Sequence, residues 1–356
     1  MRSMKRSRGG ERGAVAPLLA ILLPVLIGMA ALAFDIGRLM VVRNEMQNAA
    51  DAAALAGAGH FGRGGVTADW TLVESQARAA VALNRADFAT LVEGEVSSGY
   101  WNVKNPAQGL QPASSAPKED EYPAVRVRIG KDQGVNGGKM RFYLAPVIGV
   151  DSGGVWATAT AVVSSPGAVG VGGLFPFAIK ECLLKDHWNS TANPPGPVLD
   201  PGTGQAPIFK VYSAHRQTGC DAGQWTSLTE RKPNGKGIES AAYDKSLMLF
   251  NSVAMAVGEP TFIQNGEMAN LFGETDDCAT KAPRSCEFVT LPVVRGELVE
   301  GQDAVVAGFI CVHIVSAKQG TETPYIRIQF STGCRTPNAS GVGPNLGART
   351  PPRLVQ

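Results

Sequence analysis

The chain has 356 residues, 44% of them hydrophobic and 18% charged, with 33 Lys and Arg against 31 Asp and Glu. The slight basic excess comes from residues 1–34, which hold five bases and one acid; the rest carries 28 bases and 30 acids. That remainder has no basic bias of the kind that holds a phosphate backbone, so nucleic acid is not expected as a partner.

In chain order, Arg2, Lys5, Arg6, Arg8 and Arg12 precede an uncharged run, AVAPLLAILLPVLIGMAALAF, at 14–34. As a helix at about 1.5 Å per residue this run spans roughly 30 Å, the hydrocarbon thickness of a bilayer. The bases before it predict an N-terminus in the cytoplasm and a translocated body. Two other fates compete with an uncleaved anchor. One is cleavage as a secretory signal at the small-x-small site of Ala31 and Ala33. The other is prepilin-type processing after Gly13, which the Leu at position 18, where that signal needs Glu, disfavours.

Beyond the run, Ile36, Leu39, Met40, Val42, Met46, Ala49, Ala50 and Ala53 recur at three-to-four spacing, and seven alanines fall between 49 and 58. This predicts an amphipathic, Ala-rich helix that continues the membrane helix outward to about residue 56, with Gly57 and Gly59 as stop signals. Its small face, Ala49, Ala50, Ala53 and Ala56, suits close approach, either by another helix or by this chain's own exported body. A second helix is expected over Leu72–Phe88. Strands are expected at Glu93–Trp101, Ala124–Ile129, Lys139–Leu144 and Val155–Val163, with Gly-rich turns such as GVNGGK between them.

The small-residue stretch 164–173 reads as a domain boundary. After it, strands are expected at Phe175–Ile179, Ile208–Val211, Phe288–Val294, Asp303–Val315 and Tyr325–Phe330, a helix at Ile238–Asn251 and a loop at 193–207. The apolar run 304–317 is too short to cross a bilayer and reads as core strand. The tail from Thr336 is rich in Pro and Gly and is expected to be flexible.

All six cysteines, Cys182, Cys220, Cys278, Cys286, Cys311 and Cys334, lie in the distal half. An even count confined to the exported portion suits disulfides in an oxidising compartment. Six cysteines allow 15 connectivities. Sequential pairing, Cys182–Cys220, Cys278–Cys286 and Cys311–Cys334, is the expectation, and the short loop CATKAPRSC makes the second pair the firmest. A zinc site is the rival reading, but the chain has no C-x-x-C or H-x-x-x-H spacing.

No nucleophile elbow, zincin helix, P-loop or dinucleotide fingerprint occurs. His60, His187, His215 and His313 show no ligand spacing. Asp151-Ser152-Gly153-Gly154 lacks the second Ser of a metal-dependent adhesion motif and reads as a turn. Glu274, Asp276 and Asp277 read as a solvated acidic turn. Asn189-Ser190-Thr191 and Asn338-Ala339-Ser340 match the N-glycosylation triplet. No catalytic residue, cofactor site or metal site is assigned.

The block RGAVAPLLAILLPVLIGMAALAFDIGRLMVVRNEMQNAADAAALAGA (12–58) resembles the N-terminal region of TadG-like proteins of the Tad, or Flp, pilus system. The likeness rests on the base and Gly before the apolar run, Pro24, the step Asp35-x-Gly37-Arg38, and QNAADAAALA. A weaker likeness, FYLAPVIGVDSGGVWATATAVV (142–163), resembles the end of the first exported domain of TadE/TadG-like proteins. The resemblance implies a non-enzymatic bacterial envelope protein for pilus assembly or adhesion. Asp35, Gly37 and Arg38 would sit at the membrane exit, and the alanine face would pack on pilin-like or other Tad partners.

The expected fold is α+β. A cytoplasmic tail (1–13) leads to a single transmembrane helix (14–34) extended into the Ala-rich helix. A small exported α+β domain (35–165), a linker (166–173), a β-rich disulfide-containing domain (174–335) and the tail (336–356) follow. Two further functions stand beside pilus assembly. One is an adhesin or ligand-binding head, which would expose an aromatic patch around Trp188 and Trp225. The other is a tethered hydrolase, which would gather His187 or His215 with two carboxylates in a cleft.

Overall fold

The computed structural model describes residues 15–61, 69–118, 120–192, 194–227, 251, 253–266, 268–320 and 322–356. The basic tail and nearly all of the expected helix at 238–251 lie outside these residues. The fold is mixed: one long apolar N-terminal helix, then β-rich architecture with short helices.

Helix α1 runs unbroken from Val15 to Ala58, with Pro24 inside it. At 1.5 Å per residue its 44 residues extend about 66 Å, twice what a bilayer core needs. The apolar run and the Ala-rich segment are thus one element, as their uninterrupted helix-forming composition requires. Helix α2 spans Trp70–Val81, short of the expected Phe88. The Asn84 amide donates to the Ala80 carbonyl (2.7 Å), and the chain then turns into a two-residue hairpin, Arg85–Ala86 against Ala89–Thr90.

The contacts divide the chain into two compact units. One comprises Met1–Ala53, Arg78–Glu95 and Val127–Ala159; the other comprises Ala54–Ala77, Val96–Arg126 and Thr160–Gln356. In the first, Val42, Met46, Ala49, Ala50 and Ala53 of α1 are buried, as are Val81, Leu91, Val127, Ile129 and Met140. In the second, α1 and α2 meet at Gly57, where an added Cβ would lie 2.8 Å from the Ala77 Cβ.

A five-stranded sheet has the order Arg353–Leu354, Val155–Val162, Glu121–Lys131, Glu95–Asn102, Leu110–Pro112. Its first member belongs to the C-terminal segment, which was expected to be flexible. Arg353 and Leu354 pair with Val162 and Ala161, Ala339–Ser340 pairs with Ala168–Val169, and Leu346 and Ala348 are buried. The Pro and Gly residues there shape a packed path rather than a loose one. The same pairing makes Ala168–Val169 a short strand within the expected linker; Met255–Ala256 completes that three-stranded sheet.

The larger sheet of the second unit is ordered Phe177–Lys180, Phe288–Val294, Asp303–Lys318, Pro260–Ile263, Ala222–Ser227, Phe209–Ser213, Tyr325–Phe330. Two extra pairings, Phe177–Lys180 with Ala222–Ser227 and Asp303–Lys318 with Tyr325–Phe330, close the ring and remove open edges. The apolar run 304–317 is one 16-residue strand, Asp303–Lys318, pairing on both sides. Phe177, Trp225 and Phe272 pack edge to face in its core. Disulfides join Cys182 to Cys220, Cys278 to Cys286 and Cys311 to Cys334.

Candidate functional site where the apolar run ends

Asp35 directly follows the apolar run, yet it is buried. Its carboxylate accepts three backbone N–H groups from one loop: Tyr143 (3.0 Å), Leu144 (2.9 Å) and Ala145 (2.7 Å). Burial by itself would raise its pKa. The N–H donors of Tyr143, Ala145 and Leu144, with Arg38 one turn away, outweigh that and hold the carboxyl below the usual carboxylate range. These donors explain a departure from expectation. Residues 139–144 were expected as a strand, but only Met140–Arg141 is one: the Phe142 N–H still donates to the Asp151 carbonyl, and the next two N–H groups, of Tyr143 and Leu144, turn to Asp35.

Arg38 ties a second segment to the helix. Its guanidinium bonds Asp87 (2.6 Å) and the Arg141 carbonyl (2.8 Å) and lies 4.5 Å from the Tyr143 ring centroid. The pair with Asp87 is mostly buried, and Lys131 approaches the other Asp87 oxygen at 3.5 Å. The backbone N–H of Asp87 donates to Glu45 (2.8 Å), two turns further along α1. Asn136 locks the supporting loop: its side chain accepts from the N–H groups of Val92 and Glu93 and donates to the carbonyls of Glu93 and Gly130. Gly37 faces open space. It lines, with Phe34, Arg38, Val41, Phe88 and Tyr143, an apolar cleft of about 520 Å³. The junction ties α1 to the loop at 143–145 and to the hairpin at Asp87, and it presents no nucleophile–base pair.

Family models match this part of the chain. Residues 13–60 match Tad, the Flp pilus-assembly TadE/G-like family, and residues 43–161 match Tad_C, the Tad-like Flp pilus-assembly family. The N-terminal region is therefore Tad-like. Curated proteins and solved structures yield no match to the chain. Both Tad families are structural components of pilus assembly.

Within the Tad-like region the sequence pointed to Asp35, Gly37 and Arg38, and two of these three make the junction's polar bonds. Asp87, Lys131, Asn136 and Tyr143 escaped sequence reasoning: Asp87 is 49 residues from Arg38 and Tyr143 is 108 from Asp35, while Lys131 and Asn136 bond to other loops. The one local signal was Asn136-Gly137-Gly138, where all three residues take left-handed backbone. Of the alanine face, Ala49, Ala50 and Ala53 are buried within the chain and Ala56 is half-buried.

The remaining sequence candidates scatter. His187 stacks on Phe209 at 3.9 Å, His215 pairs with Glu300 at 2.8 Å, His313 stacks on Phe288, and His60 bonds the Ala56 carbonyl. Burial pushes the His187 pKa down, with Asp186 opposing. Among the described residues, no group of three His, Cys, Asp or Glu is placed to hold a metal. Trp188 and Trp225 are buried, so they form no exposed aromatic patch. Asp276 and Asp277 belong to a helix, Ala269–Thr280, rather than to a solvated turn; Asp276 accepts the Ala317 N–H and Asp277 pairs with Lys281. Ser152–Gly153 is a short strand paired with Met140–Arg141. A cleft of about 760 Å³ in the second unit is lined by Trp70, Tyr100, Tyr122, Lys104, Asp120 and Arg349 among others.

Proposed function

We propose that this protein is a single-pass inner-membrane component of a Tad/Flp-type pilus, acting structurally in its assembly or anchoring and through the pilus in adhesion, without catalytic turnover. The reading rests on one observation above the others: the Tad and Tad_C matches cover the helix and the segments that clamp it at Asp35 and Arg38. The basic flank before the apolar run favours a cytoplasmic N-terminus. Three disulfides favour a periplasmic or surface-exposed body, since such bonds persist in oxidising compartments. In this arrangement residues 14–34 cross the bilayer, and α1 beyond Asp35 carries the helix into the folded body. Pilin-like or other Tad proteins are the partners.

The test is membrane fractionation with intact mass in the native host, joined to deletion of the gene. Full-length mass in the inner-membrane fraction and loss of assembled pili on deletion are the expected results. A soluble species beginning near residue 34, with pili unaffected, overturns the proposal.

A further inference from the structure

The first unit exposes apolar side chains where the apolar run ends. On the loop that grips Asp35, Tyr143, Leu144, Val147 and Val150 are exposed, Val147 by 88%. Phe88, at the tip of the hairpin held by Arg38 through Asp87, is 90% exposed. Phe88 has φ +63°, a left-handed backbone that bulky residues rarely adopt; type I′ hairpins favour Asn-Gly in that turn. A strained, solvent-facing aromatic persists where the surroundings hold it for use.

The height of this patch is fixed by α1. Residues 16–27 are all exposed, as a lipid-facing helix is in isolation. Ala31 is 8% exposed, one turn before Asp35 and on the same face. The covering of α1 therefore starts about 5 Å inside the apolar run. The Tyr143 ring lies 6.4 Å from the Phe34 ring, at the last residue of that run. Arg85 and Arg141, both exposed, stand beside the apolar residues in sequence.

We propose that the loop Tyr143–Val150 and the hairpin tip Phe88 form an interfacial collar that inserts into the outer leaflet beside the membrane helix. The occupant is the bilayer itself. Continuity with the apolar run argues for lipid, since the patch begins where the spanning segment ends. The composition agrees: an aromatic at headgroup level, aliphatic side chains beside it and flanking arginines that match anionic headgroups. The collar gives the body a second attachment, so the folded unit is held at a set tilt rather than swinging on one helix. The proposal rests on the reading of residues 14–34 as membrane-spanning.

Nitroxide labels on the full-length chain test both readings separately. Ile27→Cys, Val147→Cys and Phe88→Cys are labelled one at a time in liposomes of phosphatidylethanolamine and phosphatidylglycerol, and collision rates with oxygen and with a water-soluble nickel chelate are compared. All three positions are exposed, so the fold tolerates the change. The expected result is a several-fold excess of oxygen over chelate collisions at Ile27, and a smaller but clear excess at Val147 and Phe88. An aqueous Ile27 label overturns the spanning reading. A lipid-exposed Ile27 label with chelate-dominated Val147 and Phe88 labels overturns the collar alone. Labels at 147 and 88 shielded from both reagents overturn it in favour of a protein partner.

Discussion

At the scale of single residues, the junction turns on charge placed where apolar sequence ends. Asp35 is buried one residue past the apolar run, and its three N–H donors replace the water it lost. Its folded pKa lies below its unfolded value, so its stabilisation is complete above the ordinary carboxylate range and is lost as pH falls through the folded value. Asp35→Asn is therefore expected to lower the thermal midpoint near neutral pH. The gap from the parent protein should close below about pH 4, and melting curves across pH in detergent read this directly. A gap that stays constant with pH would assign the loss to shape rather than charge. Phe88 makes the opposite case, since its left-handed backbone is a local liability. Phe88→Gly removes the Cβ clash at the expense of backbone entropy, so it is expected to raise stability by up to about 1 kcal/mol in detergent. Urea titration measures it, and a destabilised variant would show that Phe88 packs within the protein after all.

At the scale of elements, what was legible in the sequence was what local composition decides. The 44-residue helix followed from an unbroken run of helix formers, and strands such as Phe288–Val294 and Tyr325–Phe330 from alternation and β-branched content. What was illegible depended on distant partners. The end of α2 is set by Asn84 and by a hairpin whose turn residue Asp87 is held by Arg38, 49 positions earlier. The helix Ala269–Thr280 hides in ANLFGETDDCAT, a polar string that becomes helical because Leu271 and Phe272 enter the core and Asp276 finds the Ala317 N–H. Of the junction, Asp35 and Arg38 stood out through the resemblance to TadG-like proteins, as part of the step that follows the apolar run, whereas Asp87, Asn136 and Tyr143 were given no role by it. Gly57 was legible only as a stop signal, yet α1 continues past it and its role is to let α2 approach. Gly57→Leu pushes a branched side chain into space held by Ala77 and the Val73 carbonyl. Overpacking of this kind costs about 1–3 kcal/mol, so a corresponding loss in urea-unfolding free energy is expected. An unchanged value would mean that the two helices part without penalty.

At the scale of the whole molecule, two strategies of stabilisation divide the chain. The Tad-like region relies on buried alanine packing and a charge network around α1, with no cysteine. The distal region closes a ring of strands and adds three disulfides. A disulfide stabilises most where it closes a long loop, because it then removes most entropy from the unfolded chain. The bonds here close separations of 38, 23 and 8 residues. The chain-entropy relation then gives about 4 kcal/mol for Cys182–Cys220, about 3.4 kcal/mol for Cys311–Cys334 and about 2.5 kcal/mol for Cys278–Cys286. Replacing each pair by serines should reproduce that ranking in denaturant midpoints, provided the native packing survives. Cys311–Cys334 carries one complication. Cys311 lies on the long central strand with both sulfurs buried, and the Cys334 N–H donates to the Cys311 sulfur. The Cys334 sulfur lies 3.2 Å from the Val289 carbonyl, within reach of a serine hydroxyl at that position, so the double-serine variant should stay near the loop-length value and lose no more than a double-alanine variant. A serine variant clearly worse than the alanine variant would mean that the buried hydroxyls find no partner, and the order of the three bonds would then be set by burial as well as by loop length.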